Sequence, residues 1–153
     1  MSGINLKKVI VLGAGGGHLT EALAAIEGVP MDRTIATFCL SHTKASLVGE
    51  KIFCLIDPHG NLFKYIINLI QSFVLIVKIR PAFVINTGGG MTIATSIFGK
   101  LAGAKLIYIE SGARVTTPSK TGKLLYKYAD LFIVQWEPLL EHYPNAVYGG
   151  LLL

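Results

Sequence analysis

The chain has 153 residues, 52% of them hydrophobic and 15% charged, which supplies one sizeable core and leaves little room for a second: a single domain over 1–153 is expected. A formal net charge of +5 argues against a cationic partner and suits an anionic one, whether nucleic acid, a phosphorylated ligand or an anionic membrane. Mean hydropathy is +0.56, so part of the surface is expected to meet lipid or another subunit.

The opening MSGINLKKVIVLGAGGG carries lysines before an apolar run, as a signal peptide does, but the run over 9–12 ends in a glycine loop and is too short for one. It reads as a strand, and the segment 18–26 as a helix. Further strands are predicted over 34–40, 52–56, 83–86, 106–110 and 131–135, and helices over 43–49, 62–79, 91–102, 119–128 and briefly from Pro138. Strand-length and helix-length patterns alternate, and several strands are apolar without a break. That combination predicts an α/β fold: a Rossmann-like parallel sheet with helices on both faces. Cys39 and Cys54 lie in apolar stretches with no CxxC or Cys/His cluster, so they read as small buried hydrophobes in a reduced setting.

The most hydrophobic helix lies in NLFKYIINLIQSFVLIVKIRP, interrupted by Lys64, Asn68, Gln71, Ser72 and Lys78. The first four fall on one face, while Phe63, Ile66, Ile67, Ile70, Phe73, Val74 and Val77 cover much of the rest. A bilayer-spanning helix needs about 20 mostly apolar residues. The interruptions favour a helix lying in a membrane interface, or a buried crossover, over a span.

Two glycine loops follow strands. In VLGAGGGHLTEAL, Gly13, Gly15, Gly16 and Gly17 precede a helix, an arrangement whose free backbone N–H groups favour anions. A dinucleotide fold is disfavoured: its third glycine would fall at 18, where His18 stands, and the segment ATFCLSH ends without the ribose-binding acid. Neither FGKLAG nor TGKLLY has the spacing of a Walker loop. The second loop, INTGGGMTIA, repeats the pattern with Gly88, Gly89 and Gly90. Each loop alone is compatible with an ordinary strand-to-helix turn; together, at the carboxyl ends of parallel strands, they suit a phosphorylated ligand in one crevice. A neutral His18 beside it can take a proton from a substrate hydroxyl, or can donate a hydrogen bond to phosphate or sugar.

A third segment, YIESGARVTTPSKTGKLLY, ends a strand at Glu110 and starts a loop at Ser111 and Gly112. Glu110 can hold a sugar hydroxyl or pair with Arg114, and Ser119, Thr121 and Lys123 stand at the next helix start, a phosphate-friendly place. No G-x-S-x-G elbow and no D-x-D occurs, so neither a hydrolase serine nor a metal-binding carboxylate pair is suggested; no metal and no cofactor are expected.

With GAGGGHLTEAL, NTGGG, YIESGARVTTPSKTGKLLYKYADLFIVQW and YPNAVYGGLL in hand, the chain closely resembles the Alg14-like oligosaccharide biosynthesis family. That family includes the bacterial PssD, EpsE and CpsF-type capsule and exopolysaccharide subunits; the glycine loops are shared with MurG-type glycosyltransferases. The resemblance implies the amino-terminal, acceptor-binding half of a split GT-B glycosyltransferase on the cytoplasmic face of the membrane. Its acceptor would be a polyprenyl-diphosphate-linked saccharide. An Alg13- or PssE-like partner would bind the donor nucleotide sugar, and no nucleic acid is involved. By position it carries over Gly13, Gly15, Gly16, Gly17 and His18, then Gly88, Gly89 and Gly90, then Glu110, Ser111 and Arg114. His18 and Glu110 become the catalytic candidates, and the glycines with Arg114 the acceptor-phosphate site.

The eukaryotic members' N-terminal membrane anchor is not seen here, so the helix over 62–79 is expected to meet the membrane instead. The apolar ending YGGLLL is expected either to dock on the partner or to fold back. Trp136, Tyr143 and Tyr148 read equally as interface anchors or core. Two rivals stand beside the transferase reading: a non-catalytic membrane scaffold that activates its partner, and a stand-alone nucleotide-binding domain.

Overall fold

Strand β1 (Lys8–Leu12) is buried at its last four positions, with Ile10 and Leu12 packing towards one face of the sheet and Val9 and Val11 towards the other. That two-sided cover explains the unbroken apolar run. The computed structural model describes residues 6–153; the first residues of the signal-like segment lie outside the described residues. After β1 come α1 (Gly17–Ala25), β2 (Asp32–Thr37), α2 (Ser41–Ser46), β3 (Ile52–Cys54), α3 (Leu62–Ile79) and β4 (Phe83–Asn86). A 3-10 turn (Gly90–Thr92) leads into α4 (Ile93–Leu101), then β5 (Lys105–Ile109), α5 (Lys120–Leu125), β6 (Leu131–Val134), a second 3-10 turn (Glu137–Glu141) and β7 (Val147–Tyr148).

The strands form one seven-stranded sheet in the order β3-β2-β1-β4-β5-β6-β7, every pairing parallel. The chain steps outward from β1 to β3, then crosses back so that β4 pairs with the other side of β1. The loops leaving β1 and β4, the two glycine loops, are therefore neighbours at the topological switch point, where open α/β sheets bind ligands. On one face α1 packs through Leu19 and Ala22, with Ile26 at its C-cap; on the other α3 contributes Leu75 and Ile76. The Rossmann-like α/β sheet with helices on both faces is the observed fold.

Helix α3 is inverted relative to an ordinary surface helix. Its polar strip points inward. Asn68 donates to the Ile56 and Met91 carbonyls at 2.9 and 3.0 Å, Gln71 accepts from the Ile56 amide at 2.8 Å, and Ser72 accepts from Thr95 at 2.8 Å. Phe63, Ile66, Ile70, Phe73, Val74 and Val77 face outward, and of the predicted apolar set only Ile67 is half-buried. Among the described residues this is the one helix long and apolar enough to cross a membrane, yet its inner strip is fixed to the rest of the fold.

Several expectations are corrected. Cys39 and Cys54 are not reduced, buried hydrophobes: they form a disulfide with Cα atoms 5.3 Å apart, and Cys54 is exposed. The cause lies in the sheet, because the β2–β3 register sets Thr37 beside Cys54 and brings Cys39 to it just beyond the end of β2. The helix expected over 91–102 opens as the 3-10 turn Gly90–Thr92 and runs unbroken as α-helix over Ile93–Leu101, while β7, two exposed residues, has no counterpart among the predicted strands. Tyr143 is core, Trp136 half-buried and Tyr148 exposed. In the tail the Leu152 amide donates to Gln135 at 2.9 Å, while Leu151 and Leu153 remain exposed.

Asp130, before β6, accepts from the Leu106 amide at 2.8 Å and from Lys100 and Lys105 at 2.6 and 3.2 Å. Chiefly the Lys100 bond, then the Leu106 N–H, hold its carboxyl down to about 2. A folded value below the unfolded one adds stability above the ordinary carboxylate range, stability that is lost as pH falls from about 4 towards 2. Asp130→Asn is therefore expected to lessen the drop in melting temperature between pH 5 and pH 2.5; an unchanged drop would contradict this.

Candidate functional site

The first glycine loop turns out to need no third glycine at 18. A Cβ on Gly13 would lie 2.8 Å from the His18 carbonyl oxygen and 2.9 Å from the Leu19 Cα, so Gly13 alone provides the close approach of strand to helix. His18 is thereby free to carry a side chain over the sheet edge. The second loop meets the first directly, the Ala14 amide donating to the Gly88 carbonyl at 3.2 Å. Gly88 has φ +117°, and a Cβ there would stand 2.9 Å from His18 Cε1; its bare backbone makes room for the imidazole.

The ring itself is oriented. Nδ1 of His18 lies 2.9 Å from the Thr87 carbonyl, and the Thr87 hydroxyl donates back to the His18 carbonyl at 2.6 Å. A carbonyl can only accept, so Nδ1 carries the hydrogen and, in the neutral ring, Nε2 keeps a free lone pair. The His18 side chain is 34% exposed.

Glu110 behaves differently from its sequence reading. It is fully buried: Oε1 accepts from the Ser111 amide at 3.1 Å, and Oε2 from the Ser119 amide, the Ser119 hydroxyl and the Tyr143 hydroxyl at 3.1, 3.0 and 2.9 Å. It makes no ion pair with Arg114, and it is not among the residues lining the cavity beside Arg114. Gly122 is required beneath it, since a Cβ there would strike Oε2. Burial first, then the Glu110 charge, push the Tyr143 phenol far above its ordinary range, so it stays a donor to the carboxylate. Glu110 thus clamps both ends of the loop over 111–119. Trp136 reinforces its first end, donating from Nε1 to the Gly112 carbonyl at 2.7 Å.

Between this loop and the glycine loops opens a cavity of about 670 Å³. His18, Gly89, Gly90, Ser111 and Arg114 line it, with Lys120 and Lys123 adding two further cations. Gly15, Gly16 and Gly17 lie outside it, exposed and without neighbours at the Cβ position; Gly88 and Glu110 lie beneath it. A second, apolar groove of about 260 Å³ runs between α3 and α4, lined by Tyr65, Leu69, Ile93, Ile97 and Phe98, and it shares Gly90 with the cavity.

Sequence reasoning missed Lys120 and Glu21. Glu21 is buried and accepts from the Gly112 amide at 2.7 Å. The only available signal was the spacing H-x-x-E, which on a helix ordinarily marks a solvated pair.

The chain matches the family model "Oligosaccharide biosynthesis protein Alg14 like" over residues 58–152. It is 28% identical to the human UDP-N-acetylglucosamine transferase subunit ALG14, aligned over 93% of this chain and 81% of the relative. With the Saccharomyces cerevisiae subunit of the same name it shares 38% identity over 56% of this chain and 42% of the relative. Among solved structures, Acinetobacter baumannii MurG superposes with a TM-score of 0.71 at 17% identity, covering 86% of this chain and 42% of that one. UDP-N-acetylglucosamine 2-epimerase from Rickettsia bellii gives a TM-score of 0.73 at 12% identity, covering 92% and 42%. These two likenesses concern the fold. The family match takes in the second glycine loop, the cationic loop and the inverted helix, and the chain belongs to the Alg14-like oligosaccharide biosynthesis family.

Proposed function

We propose that the chain is the acceptor-binding subunit of a two-chain, inverting glycosyltransferase working at a membrane surface. One observation carries this reading: a cation-lined cavity and an apolar groove meet at Gly90. A lipid-linked diphosphate has both kinds of surface, with charge for Arg114, Lys120 and Lys123 and hydrocarbon for the groove between α3 and α4. The relatives named as UDP-N-acetylglucosamine transferase subunits support a nucleotide-sugar donor, held mainly by an Alg13- or PssE-like partner. The acceptor is a polyprenyl-diphosphate-linked saccharide of the exopolysaccharide or capsule type. The exposed Leu151, Leu153 and β7 suit docking of that partner, and the outer face of α3 suits the cytoplasmic leaflet.

In this mechanism Nε2 of His18 removes the proton from the acceptor hydroxyl as its oxygen bonds to the donor's anomeric carbon. The bond from that carbon to the nucleoside diphosphate breaks with its electron pair, inverting the configuration. Glu110 shapes the site by holding the loop that carries Arg114.

Titration of the chain with farnesyl diphosphate, pyrophosphate, farnesol and NAD tests the site. Farnesyl diphosphate is expected to bind tightest, and Arg114→Ala with Lys123→Ala to weaken it and pyrophosphate by about 10-fold or more. Saturable binding of NAD without farnesyl diphosphate would favour a stand-alone dinucleotide domain instead.

A further inference from the structure

Glu21 has no part in the mechanism so far, yet it is 6% exposed and sits between its two halves. Its Oε1 accepts from the Gly112 amide at 2.7 Å, the Ser111 hydroxyl at 3.3 Å and Gln135 Nε2 at 3.4 Å. Its Oε2 is buried without a hydrogen-bond partner, 3.9 Å from His18 Nδ1. A carboxylate oxygen left in this state is costly, and the group nearest to compensating it is an imidazole that, on the reading above, becomes positive during the reaction.

We propose that Glu21 is a positioning residue that joins the proton acceptor to the cationic loop: one oxygen ties Gly112 to the helix bearing His18, and the other supplies the counter-charge for the imidazolium. The surroundings of the ring make the second role specific. From the loop after β4 it meets the Thr87 carbonyl and Gly88, both uncharged. Across the cavity stand Arg114, Lys120 and Lys123, each of which opposes a second positive charge. Glu110 lies deeper, with both oxygens already bonded. Among the described residues, Glu21 is the carboxylate within ion-pairing distance of the ring.

This inference rests on His18 acting as the base, and the test separates the two ideas. Activity is measured in membranes of cells producing the chain together with its donor-binding partner, using UDP-N-acetylglucosamine and a polyprenyl-diphosphate-linked sugar. Glu21→Gln keeps an oxygen for the Gly112 amide but loses the charge. It is expected to lower kcat by about 10- to 100-fold, with the acceptor KM within about 2-fold. Glu21→Ala releases the loop and should raise KM as well. In a His18→Ala background, Glu21→Gln should cost less than about 2-fold more.

Wild-type rates in Glu21→Gln, with loss only in Glu21→Ala, would reduce Glu21 to a structural tether and overturn the proposal. An active His18→Ala would instead remove the base. If Glu21→Gln does not fold, Glu21→Asp and Glu21→Ala decide: Asp, which keeps the charge, is expected to retain a kcat at least about 10-fold above that of Ala, and equal kcat values overturn the proposal.

Discussion

His18→Ala is expected to lower the transfer rate by about 100-fold or more while leaving folding and assembly with the partner intact. The geometry separates the two effects. The ring makes one hydrogen bond, to the Thr87 carbonyl, and the side chain is 34% exposed. Its removal therefore opens no large core cavity, and the thermal melt should move little. The loss should fall on kcat, because the imidazole acts on the acceptor hydroxyl and not on the diphosphate held by Arg114, Lys120 and Lys123. A His18→Gln variant, able to donate to Thr87 but with no lone pair of comparable basicity, should be impaired to a similar degree. The rival reading, a scaffold that activates a catalytic partner, predicts a near-normal rate for both variants in the reconstituted pair, and that result would retire His18 as the base.

What the sequence reveals follows from whether neighbours in the chain or neighbours in space set the property. The strands of β1 and β4 were legible because their apolar runs are local, and so was the meeting of the two glycine loops, because parallel topology dictates which strand ends share a crevice. The inward turn of Asn68, Gln71 and Ser72 was not legible. An amphipathic pattern gives the two faces of a helix without saying which one meets the protein, and here the Ile56 and Met91 backbone decides. The cysteine pairing depended in the same way on the register between β2 and β3. Glu110 has a plausible sequence context for ligand contact, but Tyr143, 33 positions away, completes its burial. Glu21 depended on a contact with Gly112, 91 positions away, which no local spacing encodes.

The outer face of α3 gives the second large effect. Phe63, Ile70 and Phe73 are 72%, 59% and 57% exposed, so each has more than half of its apolar surface available to lipid. Full burial of such side chains is worth about 1.5–3 kcal/mol each; with over half of that at stake, replacing all three by serine should remove roughly 3 kcal/mol of partitioning, a fall of more than about 100-fold. Flotation with phosphatidylglycerol–phosphatidylethanolamine vesicles reads this directly. The melting temperature should fall only modestly: the edge-on contact of Phe73 with Phe98, ring centroids 6.0 Å apart, is lost, but Asn68, Gln71, Ser72, Leu75 and Ile76 still fix α3 to the fold. Lys64 and Lys78, also exposed on this helix, should add a salt-sensitive part to wild-type binding on anionic vesicles. If the triple variant binds vesicles as well as wild type but no longer assembles with the partner, the face is a protein interface and the membrane contact lies elsewhere. If both properties survive, the inverted helix has no docking role, and the hydrocarbon half of the proposed acceptor has only the groove between α3 and α4 to occupy.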